Sequence, residues 1–208
     1  MEEYDITIKL FADDSKIYAE ITDIADIVQL QAALDRMVQW AKTWQLMLSI
    51  DKCCVLHIGQ HQPASSSVLS SLHTYTVSGH LLPVVTHCRD LGVIVANNCH
   101  PRFHVNAIVA EASQRANAIL RCFQSRDPCA LLRTFKVYVL PILEYVTTVW
   151  SPVQKRDTEA IDKMQRRFTK RLAGLGDYSY SERLQSLELR RIHNDLTLTY
   201  QIVLVSQC

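Results

Sequence analysis

The chain has 208 residues, of which 48% are hydrophobic and 21% charged, and its formal net charge is +1. That balance excludes a disordered or polyionic chain and leaves room for one good core, or one core with a smaller attached domain. The near-neutral total hides an asymmetry. Residues 1–60 carry five Lys and Arg against ten Asp and Glu, a net −5, whereas residues 153–191 carry ten against six, a net +4. An acidic front and a basic rear suit a protein that gathers metal at one end and polyanion at the other, although uneven surface charge alone would look the same. Seven cysteines, an odd number without repeating spacing, argue against a disulfide framework and for a reducing intracellular setting, cytoplasmic and nuclear. The start, "MEEYDITIKL", is acidic and lacks the order of a signal peptide. No apolar run approaches the roughly 20 residues of a membrane span; the nearest, "VYVLPIL", is broken by Pro141.

In chain order, "YDITIKLFA" alternates Ile6, Ile8 and Leu10 with polar neighbours, and "SKIYAEI" follows as a second strand. Asp13 and Asp14 then sit at the tip of a hairpin. Asp23 caps a long helix whose Ile27, Leu30, Leu34, Met37, Val38 and Ala41 form one stripe, with Trp40 and Trp44 near its end. "CCVLHI" reads as a core strand, "QHQPASSSVLSS" as a Ser-rich loop, "HTYTVSGHLLPVV" as a hairpin turning at Ser78-Gly79, and "LGVIV" as a further strand. From Pro101 helical periodicity takes over, predicting helices over 102–125, 128–139, 142–150, 157–173, 180–188 and 190–205. Asp127-Pro128 marks one of the helix starts. The fold class is α+β for about a hundred residues and all α beyond.

Several segments together resemble the reverse transcriptases of non-long-terminal-repeat, LINE-type and jockey-like, retrotransposons. "LFADD" at 10–14 matches their aromatic-x-Asp-Asp palm motif. "WQLMLSIDKCCVLHIG" at 44–59 resembles the following palm motif, with Lys52 as its lysine and Ser49 where the family usually has Asn. "HCRDLGVIV" at 87–95 resembles the segment that grips the primer end. "VLPILEYVTTVWSP", "KMQRRFTKRLAG" and "YSERLQSLELRRIHNDL" resemble the helical region beyond the polymerase core. The likeness covers almost the whole chain, and its specificity lies in the order and spacing of the pieces. It implies a partial palm over 1–60, a loop and primer-grip-like β region over 61–100, and a thumb-like helical region over 101–208.

The resemblance also implies a chemistry. Nucleotide addition is an in-line displacement at phosphorus, helped by two Mg²⁺ ions that carboxylates and substrate phosphates hold. Asp13 would be the direct metal ligand, Asp14 its weaker partner, and Lys52 the cation near the leaving pyrophosphate. The alternatives are plain turn chemistry for the Asp pair and a solvated lysine for Lys52. Phe11 is expected to pack under the hairpin or to lie against nucleotide or primer. Leu91 and Gly92 would let backbone approach a nucleic-acid strand, or would form an ordinary bulged turn. In "DTEAIDKMQRRFTKRLAG", Ile161, Met164, Phe168, Leu172 and Leu175 form an apolar stripe. Lys163, Arg166, Arg167, Lys170 and Arg171 share a face suited to a phosphate backbone, or simply to water.

Other readings are weaker. Cys99, His100 and His104, and separately Cys53, Cys54 and His57, do not supply four zinc ligands at workable spacing, so no zinc is expected. The family's upstream palm strand, with another metal-binding Asp, has no counterpart in the sequence. The chain is therefore expected to be an incomplete copy, inactive alone, whose hairpin edge aggregates or docks on another chain. Implied partners are RNA template, DNA primer, deoxynucleoside triphosphates and the missing N-terminal part of the polymerase, with Mg²⁺ in the intact enzyme. A non-enzymatic nucleic-acid-binding remnant is the rival.

Overall fold

A computed structural model describes residues 6–59, 74–152, 154–187 and 189. Two units make up the chain, Met1–Cys88 and Arg89–Cys208. The Ser-rich loop and the helix expected over 190–205 lie outside the described residues.

In the first unit the alternating residues build a hairpin. Strand β1 (Ile6–Phe11) pairs antiparallel with β2 (Asp14–Ala19), so that Ile8 faces Ile17, Lys9 faces Lys16 and Phe11 faces Asp14. Strand alternation puts Ile6, Ile8, Leu10 and Ile17 on one face and Lys9, Phe11, Asp14 and Lys16 on the other. Helix α1 (Ile24–Thr43) follows, opened by a reciprocal capping box between Asp23 and Asp26. Hydrogen bonds from the Thr22 amide and hydroxyl, then the Asp23 amide, hold the Asp26 carboxyl below its ordinary range. The stripe expected on α1 is the buried one: Val38 packs with Tyr75, Val77 and Leu82, flanked by Ile27, Leu30 and Leu34.

The expected strand over "CCVLHI" shortens to β3 (Val55–Leu56), which pairs in parallel with β6 (Val84–Val85). A 3-10 turn, Ile50–Lys52, uses the residues just before it. The Ser78-Gly79 hairpin joins β4 (Thr76–Val77) to β5 (His80–Leu81), with φ of 52° and 79° at the turn. Two positive φ values match the right-handed strand twist. One clasp was not legible in the sequence: the Gln31 amide donates to the Thr76 carbonyl and accepts from the Thr76 amide, both at 2.9 Å. This side chain gives β4 the pairing that a neighbouring strand would give.

A third hairpin, β7 (His87–Asp90) and β8 (Val93–Ala96), leads into the second unit. Helices α2 (Arg102–Cys122), α3 (Pro128–Tyr138), α4 (Leu140–Glu144), α5 (Thr147–Trp150), α6 (Lys155–Lys170) and α7 (Tyr180–Ser186) form it. Asp127 caps α3 by accepting from Cys129 and Ala130 amides, with Pro128 at the first turn. The single helix expected over 142–150 is two short ones. Val146 adopts the left-handed conformation (φ 49°, ψ 41°) between them, and the Trp150 indole donates to the Tyr145 carbonyl at 2.7 Å. That indole bond needs a bent chain. The core joins Val105, Ile108, Ala112, Ala116 and Ile119 of α2 to Leu131 and Phe135 of α3 and to Ile161, Met164 and Phe168 of α6. Ala112 and Ala116 keep the α2 surface low, so that α6 packs directly on it.

Candidate functional site

The hairpin turn consists of Ala12 and Asp13, with Asp14 the first residue of β2. Both carboxylates are exposed and side by side, and Ala12 has φ 53°. An alanine in left-handed backbone stores strain that glycine would not. Phe11 corrects one expectation: it does not pack under the hairpin but is 64% exposed. Pairing with Asp14 puts its ring on the carboxylate side, and the opposite side is no better covered at this end of the hairpin, where Leu10 is 73% exposed. Two adjacent carboxylates can hold one Mg²⁺ together with water and phosphate oxygens. Among the described residues, no cluster of three His, Cys, Asp or Glu exists, so no third carboxylate joins the pair.

Lys52 lies in the same unit, exposed at the end of the 3-10 turn. Among the described residues no hydrogen bond or ion pair ties it to either aspartate. Ser49, at the start of that turn, makes no side-chain cap; its carbonyl accepts from the Cys53 thiol at 3.4 Å. Burial pushes the Cys53 thiol up, away from the thiolate.

Leu91 and Gly92 form the β7–β8 turn, with φ of 45° and 88°. A Cβ on Gly92 would meet Cε1 of Tyr145 at 2.9 Å, and the Tyr145 hydroxyl donates to the Leu91 carbonyl at 3.1 Å. The space that the resemblance reserves for a nucleic-acid strand thus has a tyrosine ring against Gly92. Leu91 itself is 45% exposed. Beside this turn, Arg89, Gly92, His104, Glu111 and Tyr145 line a pocket of ≈ 250 Å³.

His104 is buried in that wall, edge-on to Trp150 at 4.9 Å between ring centroids. Its Nδ1 lies 3.3 Å from the Ile94 amide and accepts from it, which assigns the ring proton to Nε2. Burial, and then the Arg89 charge, hold its pKa below the ordinary 6.5. The sign follows: the unfolded chain binds the proton first as pH falls. Stability is therefore complete above the unfolded value and declines below it, by at most about 1.4 kcal/mol per pH unit. Urea unfolding of the second unit between pH 7 and pH 5 is expected to show this loss. His104→Asn, which keeps an acceptor for Ile94 without titrating, is expected to flatten it. An equal slope in both proteins would assign the loss to other groups.

The basic helix is the most legible element. Ile161, Met164, Phe168 and Leu172 are buried as expected, and Leu175 is half-buried. Lys163, Arg167 and Lys170 point to water on the opposite side, as does Arg156, which the sequence reading missed although it lies seven residues before Lys163. The two flanking arginines are drawn aside. Arg166 lies over the Tyr180 ring at 4.8 Å, and Arg171 donates to the Asn117 side-chain carbonyl at 2.7 Å. On the same helix Glu159 lies 4.0 Å from Lys155.

The sequence is similar to that of two known proteins. The chain is 22% identical over 178 residues to the RNA-directed DNA polymerase from mobile element jockey of Drosophila funebris, an alignment covering 84% of this chain and 19% of that protein. It is 24% identical over 112 residues to an uncharacterized protein of Caenorhabditis elegans, covering 52% of this chain and 57% of the other. The relationship is reverse-transcriptase-like and distant, and the chain spans about a fifth of the jockey polymerase it matches. No family model matches the chain, and no solved structure matches it.

Proposed function

We propose that this chain is a segment of a retrotransposon reverse transcriptase: the C-terminal part of the palm followed by a thumb-like helical region. The observation that carries the reading is the pair of exposed carboxylates, Asp13 and Asp14, at the turn of a hairpin. In the intact polymerase they would hold Mg²⁺, which would supply charge stabilisation for nucleotide transfer to a DNA primer on an RNA template, and Lys52 would supply a cation for the leaving pyrophosphate. The substrates are deoxynucleoside triphosphates, and the setting is intracellular, cytoplasmic and nuclear. The odd number of cysteines, without repeating spacing, supports that setting.

The chain alone is inactive in this reading, because two-metal transfer needs a carboxylate beyond the pair. In this reading the further carboxylate would come from an upstream polymerase segment seated on the hairpin. Its landing surface is apolar: Ile8 is 53% and Leu10 73% exposed, and neither β1 nor β2 pairs with a third strand among the described residues. Primer extension on an RNA template with Mg²⁺ tests this. The purified chain is expected to give no product above a buffer blank, and addition of an upstream jockey-type palm segment is expected to restore extension. Extension by the chain alone would overturn the claim of incompleteness.

A second reading rests on the cationic side of α6, which needs no metal. A binding remnant would keep its salt-dependent affinity for nucleic acid and never gain polymerase activity.

A further inference from the structure

We propose that Arg121, Arg126 and Arg171 form a phosphate-binding site for a nucleic-acid strand, extending the cationic side of α6 onto the end of α2. The proposal rests on the nucleic-acid reading above and adds a built pocket to it. That pocket, ≈ 570 Å³, is lined by Asn117, Leu120, Arg121, Arg126 and Arg171. Its position joins three parts of the chain that are far apart in sequence: the last turn of α2, the loop before α3 and the C-terminal cap of α6.

Asn117 organises the site. Its side-chain carbonyl accepts from a terminal nitrogen of Arg171 at 2.7 Å, and its backbone carbonyl accepts from Nε of Arg121 at 3.3 Å. Each bond fixes a guanidinium by one N–H and leaves other N–H groups available on residues that line the pocket. Arg126 makes no hydrogen bond or ion pair among the described residues. Among the described residues no carboxylate lines the pocket; Asp127, next in sequence, gives its oxygens to the Cys129 and Ala130 amides. The ends of α2 and α6 each bring about half a negative charge, which three full positive charges outweigh. Such an excess of guanidinium in one concavity is matched by phosphate, which accepts two parallel N–H bonds.

The geometry extends a track. From Arg156 to Lys170 the outward side of α6 runs about 21 Å at the helical rise, the length of about six nucleotide steps. Arg171 ends that track and opens the pocket. A strand lying along Lys163, Arg167 and Lys170 would reach Arg171 and present its next phosphate to Arg121 and Arg126.

The test uses the full chain and a fluorescently labelled RNA–DNA heteroduplex, with affinity read by anisotropy over a range of salt. R121A/R126A/R171A is expected to bind at least about tenfold more weakly, and its salt slope to shrink by about 2 to 3, near 0.9 for each phosphate no longer neutralised. Arg126→Glu, in an exposed loop, and Asn117→Asp, which sets a carboxylate against Arg171, are expected to weaken binding too; they decide the matter if the triple variant loses its helical circular dichroism. Unchanged affinity and slope in these variants, with the wild type still binding, would overturn the site and leave nucleic-acid binding on α6 standing. Absence of wild-type binding, with inorganic phosphate shifting the Arg Nε–H resonances, would overturn the strand proposal and the nucleic-acid reading, and assign the pocket to free phosphate. Absence of both would overturn the pocket as a phosphate site.

Discussion

Asp13→Ala is expected to abolish primer extension by a polymerase assembled from this chain and an upstream jockey-type palm segment. The loss should be on the order of 10³-fold or more, the scale on which a single charge-stabilising group acts in phosphoryl transfer. Asp13 occupies the turn itself, exposed, where a metal can approach without displacing packed atoms. Alanine removes the ligand and leaves the hairpin pairs from Ile6–Ala19 to Phe11–Asp14 intact. Asp14→Asn should cost less, because Asp14 begins the strand and the resemblance gives it the secondary role. Asp51→Ala is the control: an exposed acid of the same unit, in the 3-10 turn, whose loss should leave extension unchanged. Nucleic-acid affinity of the Asp13 variant should stay at the wild-type value, since the cationic side of α6 lies in the other unit. Full extension by Asp13→Ala would remove the aspartate pair from the chemistry altogether.

Phe168→Ala carries the largest expected cost to stability, about 3–5 kcal/mol. Its ring is 2% exposed and stacks on Phe135 with 4.3 Å between centroids and 22° between planes. Truncation removes that stack and opens a void where α3 and α6 meet. A domain commonly has only about 5–15 kcal/mol of stability in total, so the second unit should become marginal. Arg167→Ala, one residue away but on the water side of the helix, should change stability by no more than about 0.5 kcal/mol. Urea unfolding read from buried Trp150 checks both, in a background with exposed Trp40 and Trp44 replaced by Phe. Equal midpoints for Phe168→Ala and the wild type would mean that the two rings do not share a core.

Short-range patterns explain what could be read in advance. Period-two alternation placed β1, the Asp13-Asp14 turn followed from it, and three- and four-residue spacing placed the buried stripes of α1 and α6. Asp23 and Asp127-Pro128 marked helix starts because a side-chain oxygen near the first amides is a local chemical need. The exposure of Phe11 was not legible because the sequence does not state whether any element covers the tip of a hairpin, and here Leu10 on one face and Phe11 on the other both stand in water. The break at Val146 was missed because the cause, the Trp150 indole reaching the Tyr145 carbonyl, operates only once the chain has bent.

From the residues by themselves came the order of strands and helices, the paired carboxylates and the cationic helix side, all set by interactions within a few positions of the chain. Tertiary structure alone decided which cations stay in water and which are tied down. Arg166 goes to Tyr180 and Arg171 to Asn117, 54 positions away. It also brought Arg121 and Arg126 beside Arg171, and Tyr145 against Gly92. Such meetings depend on how whole helices pack, because the core contacts that orient them join residues remote in sequence and leave no periodic trace along it.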